Sequence, residues 1–166
     1  SWFSRESVTR FLPQGLYPNS EFDQEDWFRR EVAGGRFLAM VAEKETGVLL
    51  GVTSISEIDW ISRSGQVSVV VPEKTRKASI PGLEARALVT QHAVEKMGLV
   101  RLWSGQAFPG NLRWTLSQAL VGWRPEGFAM SGFTKGPVSF DIIRTYALGR
   151  EIEGLTQERS GSLWPG

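Results

Sequence analysis

The chain contains no cysteine and a single histidine, His92. Without thiols there is no disulfide framework, no thiolate nucleophile and no cysteine-bound zinc. One imidazole cannot make a histidine-rich metal site, so no metal is expected. Long apolar runs are missing too. The strongest, "GVLLGV" and "VSVVV", fall far short of the roughly 20 residues that span a bilayer. No charged-then-apolar targeting segment opens the sequence. It begins at Ser1, which implies a removed initiator Met or a missing upstream segment. The expectation is a cytoplasmic domain with no membrane partner.

What is present is enough for a real core. The 166 residues have the size of one domain, 41% are hydrophobic and seven are tryptophan. Net charge is only +1, which speaks against a dedicated nucleic-acid binder. The charge is unevenly spread. Residues 1–73 hold 7 basic and 11 acidic side chains, residues 74–124 hold 8 and 2, and residues 125–166 hold 4 and 5. The middle third is therefore either a solvated positive face or an anion site.

Patterning gives the order of elements. Residues 4–12 and 21–34 read as helices, the second with Ser20 as N-cap and acidic residues in its first turn. "RFLAMVAE" (36–43), "VLLGVTSISEIDW" (48–60) and "QVSVVV" (66–71) read as three strands in a meander. Leu83 to Met97 is helical and ends at Gly98. "LVRLWSGQAF" (99–108) is a strand, followed by a short helix capped by Asn111 and ended by Gly122. Segments near 127–132 and 138–148 are strands, and 150–166 reads as a polar tail after a single domain over 1–149. The strand–helix–strand unit at 66–108 should be parallel and the rest antiparallel. That is an α/β layered domain with a mixed, mostly antiparallel sheet.

"RKASIPGLEA" (76–85) lies between a strand and the long helix. Such a turn exposes the free N–H groups of the first helical turn, where the dipole favours anions. Lys74, Arg76 and Lys77 lie beside it. A plain tight turn is the alternative reading. A second set of residues follows: Asn111, then Gly122, Trp123, Arg124, Glu126 and Gly127. Together with Glu84-Ala85, "EDWFRR" (25–30) and "GVTSISEID" (51–59), this order resembles the GCN5-related N-acetyltransferase (GNAT) superfamily. The likeness is greatest to its ribosomal-protein N-terminal acetyltransferase branch, and it covers roughly residues 5–148.

The resemblance implies that the strand before the loop and the strand after the long helix splay apart. The pantetheine arm of acetyl-CoA, the co-substrate, would lie in the gap along Val69, Val70 and Val71. Its pyrophosphate would rest on the amides of Lys77, Ala78, Ser79, Ile80, Pro81, Gly82 and Leu83. Asn111 would contact the pantetheine or the acceptor side. An amine, either a small molecule or a protein N-terminus, would attack the thioester while a carboxylate or water takes its proton. Glu57, then Asp59, are the candidates for that base, with Asp141 behind them. The family loop has glycine where Ile80 stands, and Pro81 removes one N–H. A serine expected three residues after Asn111 is Trp114, and a glutamate expected before the loop is Gln66. Neither Tyr17 nor Tyr146 stands where some relatives keep an acidic tyrosine. The alternative these departures raise is a GNAT-like protein that has lost or altered acetyl-CoA use, acting as a binding module or on another substrate such as nucleic acid.

Overall fold

In the computed structural model, residues 6–12, 20–72 and 79–165 are described. Six strands form one sheet in the order β1-β2-β3-β4-β6-β5. They are β1 (Phe37–Ala42), β2 (Leu49–Asp59), β3 (Ser64–Val70), β4 (Arg101–Phe108), β5 (Arg124–Lys135) and β6 (Val138–Leu148). All neighbours are antiparallel except β3 and β4. The helices are α1 (Glu6–Thr9), α2 (Glu21–Ala33), α3 (Ser79–Glu95), α4 (Leu112–Ser117), which runs into a 3-10 turn at Gln118–Val121, and α5 (Gly149–Glu158). The α/β layered class and the single parallel pair are those expected from the pattern.

Local chemistry explains the ends. Ser20 and Asp23 form a reciprocal capping box at the start of α2. Glu25 pairs with Arg29 and Asp26 with Arg30 along the same helix, so its acidic stretch is partly neutralised. Gly122 closes the 3-10 turn with φ 79°, a conformation that costs glycine little. Gly51 has a different reason to be glycine: a Cβ there would stand 2.3 Å from the Val70 carbonyl oxygen.

The core lies between the sheet and α3. Ile55, Val67 and Leu102 from the strands meet Leu83, Ala87 and Val94 from the helix, with Trp123 and Val121 beside them. Two expectations change. The helix α3 starts at Ser79, four residues before the apolar pattern begins. Pro81 falls in its first turn, where the missing N–H has no intrahelical acceptor to lose. The segment 150–165 is no loose tail. It forms α5, packs on α3 and buries Ile152 and Leu163. Its few apolar residues are spread through a polar sequence, which hid the helical stripe.

Candidate functional site

Strands β3 and β4 pair over only three positions, Ser64 to Gln66 with Arg101 to Trp103. Beyond Gln66 and Trp103 both continue without pairing to one another, β3 to Val70 and β4 to Phe108. The two strands diverge into a V that opens toward the start of α3. Thr53 Oγ1 donates to the Ser68 carbonyl from β2, so that carbonyl faces β2. Carbonyls alternate along a strand, and those of Val67 and Val69 therefore face the gap. The Val70 carbonyl is turned to β2, against Gly51. Of the three valines expected to line the gap, Val69 presents its backbone there and Val70 does not.

At the mouth stands the first turn of α3. Ser79, Ile80 and Gly82 bring backbone N–H groups and Pro81 none. Ile80 is helical and largely exposed, so its branched side chain turns to solvent instead of crowding the backbone. Gly82 and Leu83 are buried. Lys77 and Ala78, with Lys74 and Arg76, lie outside the described residues.

A Cβ on Gly82 would stand 3.5 Å from the Trp114 ring and 3.6 Å from Val71 Cγ2. The indole of α4 thus lies against the first turn of α3, at the open end of the V, and packs on the core. Asn111 is the N-cap residue of α4, as expected, but its side chain makes no capping bond. Its side chain is not used for the helix.

The motif after Gly122 has structural work. Trp123 is 1% exposed, donates its indole N–H to Thr90 Oγ1 at 2.9 Å and carries the Arg86 guanidinium over its ring at 3.6 Å. Arg124 pairs with Glu151 of α5, and Glu126 with Arg101 of β4. Arg86 itself was not singled out in the sequence. A lone arginine in a helical stripe gives no signal that it is buried. Burial pushes its guanidinium down to about 9, still protonated at neutral pH.

Glu57 sits in a bulge of β2 between Ser56 and Asp59. Its φ is 49°, an uncommon conformation for a residue with a side chain, and the side chain is exposed. Asp59 serves a turn. Its carboxylate accepts from Ile61 N, Ser62 N and Ser62 Oγ. The Ser62 hydroxyl and then the turn amides hold it below the usual carboxylate range, which leaves it a weak base. Gln66, at the last paired position of the V, accepts from Ser56 Oγ through Oε1. Asp141 accepts from Ser131 N in the β5–β6 hairpin, away from the V. His92 stacks on Phe37, a packing role.

A cavity of about 660 Å³ lies on the β1 side of α3, between Phe37, Met40, Leu50, Pro81, Leu88 and His92. It is separated from the V by the helix, and its polar rim of Glu43, Lys44, Glu45 and Glu84 has mixed charge. The V, with unpaired backbone on one wall and helix amides at its mouth, is the stronger candidate.

No protein-family model matches the chain, and no curated protein sequence matches it. Solved structures do. Spermidine N-acetyltransferase from Vibrio cholerae, in complex with CoA and spermine, superposes with a TM-score of 0.79 at 14% identity, covering 92% of this chain and 88% of that one. A chimera of the Vibrio cholerae enzyme with hSSAT gives 0.74 at 16% identity, covering 82% of each chain. At such identities the likeness is one of fold. The six-stranded sheet with one splayed parallel pair is the fold of the GNAT acetyltransferases.

Proposed function

We propose that the chain is an N-acyltransferase that moves an acyl group, acetyl in the simplest case, from a CoA thioester to a primary amine. The observation that carries this reading is the V between β3 and β4 with the α3 N-terminus at its mouth. It sits in a fold shared with an acetyltransferase that binds CoA and spermine. The residues present fit such a donor in part. Val69 offers gap-facing backbone, Ser79, Ile80 and Gly82 offer amides for the pyrophosphate, and Asn111 keeps an unspent amide side chain. Trp114 must turn aside for the donor to enter.

In this reading Glu57 is the base that takes the amine's proton, directly or through water, since Asp59 is committed to its turn. The amine is a small molecule such as a polyamine, or a protein N-terminus. The order of Asn111, Gly122, Arg124, Glu126 and Gly127 supports the ribosomal-protein branch for the latter. A cytoplasmic location belongs to the same reading.

The test is release of free CoA thiol from acetyl-CoA by the purified chain, with spermine or a free-N-terminus peptide as acceptor. Amine-dependent release is expected, reduced about 100-fold in Glu57→Gln. No release with either acceptor would remove the acetyltransferase reading. The contact of Trp114 with Gly82 favours a second one, in which the mouth stays shut and the fold serves binding without acetyl transfer.

A further inference from the structure

The V holds a buried cation. Arg86 lies on α3 one turn beyond Gly82 and is 1% exposed. Its Nη1 donates to the Val67 carbonyl at 2.8 Å, the first carbonyl past the last paired residue of β3 and one that faces the gap. Its Nε and Nη2 are buried without a partner. The ion pairs of the arginines among the described residues belong to Arg29, Arg30, Arg36, Arg101 and Arg124, so Arg86 has no counter-charge. What faces it is neutral: the Val67 carbonyl and the Trp123 ring. Gln118, one turn beyond Trp114 as Arg86 is one turn beyond Gly82, is fully buried with both amide atoms unpartnered. Its backbone carbonyl accepts from Trp123 N.

A buried guanidinium without an anion is costly, and burial favours a partner that brings both charge and acceptor oxygens. A carboxylate does both, and an arginine holds one through two N–H groups at once. With the pyrophosphate at the α3 N-terminus and the pantetheine along β3, the acyl end of a donor reaches the narrow end of the V. That is the level of Val67 and Arg86.

We propose that the cleft takes an acyl donor whose acyl group ends in a carboxylate, a dicarboxylic acyl thioester of the succinyl-CoA class, and that Arg86 selects it. This rests on the acyltransferase reading above. The distal carboxylate accepts from Arg86 Nε and Nη2, the two nitrogens without a partner. The acceptor nitrogen attacks the thioester carbonyl carbon, and the C–N bond forms as the C–S bond breaks. The proton lost by nitrogen passes through Glu57 or water to the leaving thiolate. The products are an amide with a free carboxylate and CoA thiol.

The experiment is a calorimetric titration of the purified chain with CoA, acetyl-CoA and succinyl-CoA, repeated on Arg86→Met and Arg86→Lys. Succinyl-CoA should bind the wild type about ten-fold or more tightly than acetyl-CoA, the order of one charge-assisted pair. Arg86→Met should erase that ratio and leave CoA affinity in place, and Arg86→Lys should restore part of it. If acetyl-CoA binds as well as succinyl-CoA, the inference is overturned and the acyltransferase reading stands. If none of the three binds, both fall. Should Arg86→Met fail to fold, the wild-type ratio decides alone.

Discussion

Trp123 ties the start of β5 to α3 through one ring: it carries Arg86 and bonds to Thr90, both on α3. Thr90 is fully buried, so Trp123→Phe would leave its hydroxyl stranded. The expected loss is about 1–3 kcal/mol in urea unfolding, largely recovered in the double variant with Thr90→Val, because removing both partners of a buried hydrogen bond is far cheaper than removing one. Two exposed carboxylates contribute to the acid side of the stability profile. Asp23 is held below the usual range by Ser20, and Asp59 by Ser62 and Ile61. A lowered folded value means stability present above the unfolded value of 3.8 and lost as pH falls through the folded one. Asp59→Asn should therefore unfold with a flatter acid limb than wild type, read by denaturant titration between about pH 5 and about pH 2. At this scale the sequence was informative for Ser20 and Gly122, whose chemistry is local. It was silent on Arg86, because burial of a cation depends on a ring 37 positions away.

Among the elements, α5 is the one whose helical character the sequence hides. Its stripe consists of Ile152, Leu155 and Thr156 on a polar helix, too sparse to stand out from a tail. The contacts that order it come from α3, and Leu163 beyond it bonds to Gln91 of α3 and to Arg159. If those contacts hold the helix, Ile152→Ala should cost about 2–5 kcal/mol, as a buried truncation does. A tail would show no change in the unfolding midpoint. The meander β1–β3 was legible throughout, since alternation and turn residues are local signals. Within it Gly51→Ala would force a methyl to 2.3 Å from the Val70 carbonyl. It should destabilise by about 1–3 kcal/mol through overpacking, measurable as a lowered melting temperature. The parallel pair was expected from the intervening helix. Its short register, three positions before the strands part, depends on tertiary packing and could only be inferred by resemblance.

The molecule as a whole shows a familiar cleft whose entrance is unusual. The backbone of the V is in place and the helix amides stand at its mouth, yet Trp114 lies against Gly82 where the resemblance expects a small serine. The sequence flagged that substitution but could not say where the ring would go. It lies against Gly82 and packs on the core; in the proposed reading its rotation precedes donor binding. A bound state available only after that rotation has its affinity lowered by the closed fraction. Trp114→Ser should then bind CoA more tightly than wild type and associate faster. The most direct measurement is a calorimetric titration of CoA into wild type and Trp114→Ser under identical conditions. Saturable one-to-one binding is expected in both, about ten-fold tighter in the variant. Absence of binding in both proteins would contradict it, and would show that this fold keeps the outline of the donor cleft without its use.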